Sequence, residues 1–184
     1  PHVGQSEGAW VKIDHCNQQY DLSHLNGCVL KMGAWIGEKK QPVQAEVEIR
    51  YSCHCYTVGS SMIPPAEMWS IREKKEWRVF NIQRHTLSIF LPQIIQTLVH
   101  QPTKQIQKVS GRHNFKIFQV GLRELKSGGK YYAFFKLEQT NRQGTPGFHQ
   151  IKLSVESAYP KDNIVAGDWK PPFGKAGEER LGLR

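Results

Sequence analysis

Side chains that can move protons and bind phosphate recur at the ends of predicted elements between residues 81 and 160. They are Arg84 and His85 in "NIQRHTLS" (81–88), Arg112, His113 and Lys116 in "SGRHNFK" (110–116), and Ser157 and Tyr159 in "SVESAYP" (154–160). A ribonuclease without a metal needs a base for the 2′-hydroxyl proton, an acid for the leaving 5′-oxygen and a cation for the phosphate charge. Histidine suits both proton roles near neutral pH. These residue types are therefore the ones that metal-free RNA cleavage requires.

The stretch "YSCHCYT" (51–57) places a histidine between two cysteines and raises the question of a metal site. It ends the run "VQAEVEIRYSCHCYT" (43–57), whose apolar and polar residues alternate as in a half-buried strand. A strand would hold Cys53 and Cys55 about 6.5–7 Å apart and turn His54 to the other face, whereas two sulfurs on one zinc lie much closer. The alternation therefore predicts no metal and no disulfide here, with both cysteines in the core. His15 and His54 stay open as further catalytic candidates.

The composition favours an anionic partner. The net charge of the 184 residues is +9, which attracts phosphates, so RNA is the expected partner. No P-loop, HExxH, GxSxG or Rossmann fingerprint is present, and no cofactor is expected. The segment "PHVGQSEGAW" has no apolar core typical of a signal peptide, and no apolar run is long enough to span a membrane. These features predict a cytoplasmic protein with reduced thiols and no membrane association.

The predicted elements indicate the α+β class. Strands are expected at 9–14, 28–36, 43–57, 77–82, 114–122, 130–138 and 149–159. Apolar residues at helical spacing predict an amphipathic helix over about 86–100, with Ser88 as its N-cap and Pro92 in its first turn. The expected architecture is one twisted, mainly antiparallel sheet packed against that helix, with additional N-terminal strands.

The same pattern predicts how the chain is organised. Residues 1–160 are expected to form a single domain. The segment 161–184 is rich in glycine, proline and charge, and is expected to be a tail that Trp169 and Phe173 can anchor.

Four motifs within residues 77–160 carry a family resemblance: "RHTLSIFLPQIIQTL", "FKIFQVGL", "GKYYAFFKLE" and a last strand ending "SAYP". This run resembles the barnase–EndoU–colicin–RelE-like (BECR) ribonuclease fold, in the form found in prophage-associated and polymorphic toxins. The resemblance implies His85 or His113 as acid and base, Arg84 and Lys116 as phosphate contacts, and Ser157 with Tyr159 at the final strand. Arg112 is a further phosphate-binding candidate beside Lys116. The resemblance also implies an antitoxin or immunity protein as partner.

The leading hypothesis is an endoribonuclease that cleaves single-stranded RNA or tRNA by general acid/base transesterification, as a toxin or phage-related effector. The alternative is a non-catalytic nucleic-acid-binding or prophage accessory protein that uses a basic face. A zinc-stabilised interaction module is a third reading, which elemental analysis for zinc would test.

Overall fold

The structure, a computed structural model, describes residues 12–32, 35–36, 42–109, 117–124, 130–139, 148–161 and 173–176. Its elements in chain order are β1 Lys12–His15, β2 Gln18–Asp21, a 3₁₀ turn Ser23–Leu25, β3 Cys28–Lys31, β4 Trp35–Ile36, β5 Pro42–Tyr51, a 3₁₀ turn Cys53–Cys55, β6 Thr57–Ser60, β7 Ser70–Glu73, β8 Glu76–Phe80, α1 Ile82–Ser88, α2 Leu91–His100, β9 Gln107–Val109, β10 Ile117–Glu124, β11 Lys130–Gln139 and β12 Phe148–Lys161. The predicted α+β class, with additional N-terminal strands, is confirmed.

The described strands form three sheets. The largest has the order β3–β5–β12–β11–β10–β9, with β4 added beside β5, while β6–β8–β7 and β1–β2 form two smaller ones. Antiparallel pairing dominates, as predicted. One central pair is parallel: β12 runs beside β5 from Phe148 opposite Gln44 to Val155 opposite Tyr51.

Alternation along the central strands builds the core. Most of the buried residues on these strands lie at alternate positions, namely Ala45, Val47, Ile49, Tyr51, Tyr131, Ala133, Phe135, Leu137, Ile151, Leu153 and Val155. They share one hydrophobic cluster with the apolar side of α2, formed by Leu91, Ile95, Leu98 and Val99. A strand exposes alternate residues to opposite faces, which explains why these alternate positions are buried together. Tyr132 on β11 and Ala158 beyond the register shift in β12 are buried as well, at positions of the other parity.

The predicted helix over 86–100 is two helices in the structure. The first, α1, begins four residues earlier because the Asn81 side chain accepts a hydrogen bond from the Arg84 backbone N–H at 2.9 Å and caps the helix. The prediction of Ser88 as an N-cap is wrong, since Ser88 is the buried last residue of α1. Pro92 lies in the first turn of α2, as predicted.

The predicted strand over 43–57 is wrong beyond Tyr51, where β5 ends. The Ser52 N–H donates to Val155 O at 2.9 Å, and the Ser52 hydroxyl accepts from the His54 N–H at 3.2 Å. This side-chain cap turns the chain into the 3₁₀ turn Cys53–Cys55 before β6 begins. The turn therefore connects β5 of the large sheet to β6 of the β6–β8–β7 sheet.

Within the predicted tail, residues 173–176 form a helical turn. Phe173 is 1% exposed, as expected of an anchor, and its ring lies 6.3 Å from that of Phe135. Trp169 lies outside the described residues. In the part of the chain that the structure describes, no helix has the length and apolar character needed to cross a membrane.

Candidate functional site

Three of the sequence-predicted site residues, Arg112, His113 and Lys116, lie outside the described residues. Ile117, the first described residue after them, stands opposite Lys136 in the β10–β11 ladder. The remaining four, Arg84, His85, Ser157 and Tyr159, have definite positions around α1 and β12.

Arg84 lies at the point where the two larger sheets meet. Its Nη1 donates hydrogen bonds to His54 O at 3.0 Å and to Thr57 O at 2.8 Å. Its guanidinium carbon lies 5.1 Å from the centroid of the Tyr159 ring, which is cation–π distance. The structure therefore brings together two predicted residues, Arg84 and Tyr159, that are 75 positions apart in the sequence.

The positive charge of Arg84 is only partly compensated. Burial and the nearby charge of Arg78 lower the pKa of Arg84. Arg78 is 7% exposed and donates to the hydroxyl and the carbonyl oxygen of Thr57. Among the described residues, no carboxylate pairs with Arg84, and no acceptor is seen for its Nε and Nη2. A half-buried cation with free donors beside a second arginine is an arrangement that favours an anion.

Tyr159 is positioned by an irregularity in the central sheet. The β11–β12 register shifts between Phe134 and Phe135, which leaves Glu156 as an extra residue in β12. Beyond this bulge, Tyr159 stacks on Phe134 with ring centroids 5.0 Å apart. Ser157, opposite Phe134 in the ladder, is half-buried two positions before Tyr159.

A second polar group lies near the guanidinium. Tyr131 is 1% exposed, and no partner for its hydroxyl is seen among the described residues. Burial raises the pKa of Tyr131, while the charge of Arg84 opposes that shift. A buried hydroxyl without a hydrogen bond is uncommon in proteins, so the surroundings of Arg84 hold unused hydrogen-bonding capacity.

His54 and Glu73 add an imidazole–carboxylate pair to this place. The 3₁₀ turn directs the His54 ring toward β7, where its Nε2 donates to Glu73 Oε2 at 2.5 Å. The two side chains are 32% and 46% exposed, so solvent and ligands can reach them. The His54 backbone carbonyl is held by Arg84, which links this pair to the cation. We call Arg84, Tyr159, His54 and Glu73 the junction site.

His85 points to a different part of the molecule. Its Nε2 donates to Asp21 O at 2.9 Å, and its ring lies 5.5 Å from that of His24. The His24 Nε2 in turn bonds the hydroxyl of Ser88 at 2.8 Å. Neighbouring residues on a helix point in different directions, so Arg84 and His85 do not meet at one site.

The 3₁₀ turn also changes the geometry around the two cysteines. Cys55 is fully buried, with its Sγ 3.7 Å from Val155 O, whereas Cys53 is half-buried. The potential ligand atoms of Cys53, His54 and Glu73 all lie within 4.8 Å of one another. An extended strand would keep Cys53 and His54 on opposite faces, whereas the turn places both beside Glu73 of β7, so the predicted absence of a metal site loses its geometric basis.

Comparison with protein families matches the YjaZ family over residues 12–180. The chain belongs to the YjaZ family. Its match spans the whole junction site and the sheets that position it. No curated protein and no solved structure matches the chain. YjaZ membership says nothing of a BECR ribonuclease fold, so that resemblance stays a prediction.

Proposed function

We propose that the chain is a metal-independent endoribonuclease that acts on single-stranded RNA or tRNA at the junction site, as a toxin or phage-related effector. The observation that supports this most is the contact of Arg84 with Tyr159 beside the hydrogen-bonded His54–Glu73 pair. A cation for phosphate, an oriented imidazole and a hydroxyl are the groups that RNA transesterification uses.

In this proposal Arg84 binds the scissile phosphate. Its Nη1 is held by two backbone carbonyls, which fixes the guanidinium plane, while Nε and Nη2 remain to donate to phosphate oxygens. Fixed donors stabilise the charge that develops on the phosphate without a reorganisation cost in the transition state. The charge of Arg78 adds positive potential near Arg84.

His54 is the proposed base. Because its Nε2–H donates to Glu73, its basic nitrogen is Nδ1, and the carboxylate stabilises the imidazolium that forms when Nδ1 takes the 2′-hydroxyl proton. Tyr159 is the proposed acid for the leaving 5′-oxygen, with Ser157 on the same strand as a further hydroxyl. This assignment uses His54 in the role that the family resemblance implied for His85 or His113.

The decisive experiment is RNA cleavage by the purified chain in EDTA. We expect products with 2′,3′-cyclic phosphate ends. His54→Gln keeps a donor toward Glu73 but lacks the basic nitrogen, so we expect it to lower the cleavage rate by about 10²-fold or more. The matched control is His100→Gln at the exposed end of α2, which should cleave RNA at the wild-type rate.

Arg84→Lys separates charge from geometry, because lysine keeps the cation and loses the planar set of donors. We expect a loss of about 10²-fold in rate with RNA binding largely retained. The control is Arg50→Lys, since Arg50 is an exposed residue that pairs with Glu48. Far-UV circular dichroism and thermal unfolding show whether each variant is folded.

RNA that stays intact at every pH, with protein that has a folded circular-dichroism spectrum, would rule out the proposed activity. If such protein still binds RNA with an affinity that falls steeply with salt, the non-catalytic nucleic-acid-binding alternative is favoured. Loss of cleavage in His113→Gln or His85→Gln, with His54→Gln fully active, would move the base to one of those histidines.

A further inference from the structure

Three potential metal ligands, two of which belong to the junction site, come from two elements. Cys53 and His54 belong to the 3₁₀ turn, and Glu73 is the last residue of β7. Their ligand atoms lie within 4.8 Å of one another, and His54 Nε2 already contacts the Glu73 carboxylate. Bringing the three atoms to coordination distance requires rotation about the side-chain bonds of Cys53, His54 and Glu73, each of which is partly exposed.

The backbone that carries two of the ligands is held on several sides. The Ser52 hydroxyl accepts from the His54 N–H, the Thr57 hydroxyl donates to Cys53 O at 2.8 Å, and Arg84 donates to His54 O. A metal site of useful affinity needs ligands whose positions are fixed by surrounding contacts. The hydrogen bonds of this turn provide such support before any ion binds.

The chemistry of the three ligands selects the kind of ion. A thiolate, an imidazole and a carboxylate form the mixed sulfur–nitrogen–oxygen set that Zn²⁺ accepts in tetrahedral geometry, with water as fourth ligand. Mg²⁺ and Ca²⁺ prefer oxygen ligands only, so a site with one carboxylate suits them poorly. We propose that Cys53, His54 and Glu73 bind one Zn²⁺ ion and that this ion, if the proposed function holds, switches RNA cleavage off.

Zinc would inhibit RNA cleavage because its binding changes which nitrogen of His54 carries a proton. When Zn²⁺ binds, the Cys53 thiol releases one proton to solvent, and the proton on His54 Nε2 moves to Nδ1 so that Nε2 can coordinate the metal. Nδ1 is the nitrogen that the proposed mechanism needs as a base. Zinc-bound His54 therefore cannot accept the 2′-hydroxyl proton, and Glu73 is no longer available to stabilise an imidazolium.

Zinc binding is tested first, without reference to activity. Titration of the reduced protein with Zn²⁺ against a competing chelator should show one ion per chain, and Co²⁺ should give a thiolate charge-transfer band. Cys53→Ser should abolish that band and weaken Zn²⁺ binding at least about tenfold, as should Glu73→Gln at its exposed position. The matched control is Cys28→Ser, which removes an exposed cysteine outside the cluster and should change neither result.

Absence of Zn²⁺ binding by folded protein, or equal affinity in wild type, Cys53→Ser and Glu73→Gln, would overturn the site. The inhibitory role is tested in the RNA assay. Zn²⁺ should slow the wild type at least tenfold, whereas Cys53→Ser should cleave RNA at the zinc-free rate and resist Zn²⁺. One bound zinc in a protein that never cleaves RNA supports the site and rejects the proposed function. Cleavage that continues unchanged in zinc-loaded protein rejects the inhibition.

Discussion

His24 shows how a single side chain makes stability depend on pH. Burial first, and then the charge of His85, lower the pKa of His24 below its ordinary 6.5. Its Nε2 donates to Ser88, whose own proton goes to His85 O at 2.7 Å. Protonation of His24 therefore places a positive charge in a half-buried position 5.5 Å from the His85 ring.

We expect the free energy of unfolding to fall as pH drops below about 6.5, because the unfolded chain then binds protons that folded His24 resists. The loss should be complete once pH lies below the lowered folded-state pKa. His24→Gln can still donate to Ser88 and should flatten this dependence. Urea denaturation of both proteins at pH 7, 6 and 5 measures the slopes, with His100→Gln as the control. Equal slopes in wild type and His24→Gln would contradict the prediction.

At the scale of elements, the sequence predicted the presence of strands and helices better than the residues at which they end. The strands β11 and β12 lie close to their predicted ranges because apolar and aromatic residues recur along both, and the bulge at Glu156 does not end β12. The alternation through Tyr51 and Cys53 hid the end of β5, since that end depends on the Ser52 cap and on a hydrogen bond to Val155, a distant residue. Side-chain caps of this kind compete with strand geometry without disturbing hydrophobic periodicity.

The sequence predicted two of the four junction-site residues as site residues, because only these two lie at the ends of elements that hydrophobic periodicity reveals. Arg84 and Tyr159 stand at predicted element ends, where binding residues are common. The sequence around Glu73 does not indicate a functional residue. Its role depends on the His54 ring, 19 positions earlier, which reaches the Glu73 carboxylate only because the chain turns at 53–55. Pairings between elements are set by tertiary packing, which one sequence does not display.

Gly27, just before β3, and Gly59, within β6, provide a matched stability test. A Cβ at Gly27 would lie 2.7 Å from Ile49 O in the backbone of β5, which cannot move without disturbing the central sheet. A Cβ at Gly59 would instead meet the end of the Glu76 side chain, which can rotate away. We expect Gly27→Ala to destabilise the protein by about 1–3 kcal/mol and Gly59→Ala by less, in urea denaturation. The reverse order would show that the β3–β5 contact is not the tighter one.

At the scale of the whole molecule, the turn at 173–176, near the C-terminal end of the sequence, packs against the hydrophobic core. The Phe173 and Gly174 N–H groups donate to Lys104 O at 2.9 Å and Pro102 O at 2.7 Å, just after α2. The Phe173 ring is buried against Phe135 on β11. This segment is therefore part of the folded unit, although its composition is typical of a tail.

Phe173→Ala should lower the free energy of unfolding by about 3–5 kcal/mol, because it removes a buried ring and leaves a cavity. Met62→Ala at a side chain that is 76% exposed should change it by less than about 0.5 kcal/mol. Chemical denaturation of both variants gives the comparison. A change at Phe173 as small as that at Met62 would mean that the turn does not contribute to the core.

The parallel pairing of β5 with β12 also constrains how the chain reaches its native state. The paired strands are about a hundred positions apart, so their ladder closes a long loop and should form slowly. During synthesis, the backbone N–H and C=O groups on one edge of β5 have no strand partner until β12 has been translated. An unpaired apolar strand is a template for wrong partners, so this interval is when nascent chains are most prone to aggregate. Pairing with β12, the strand that carries Tyr159, is therefore the step that covers the exposed edge of β5.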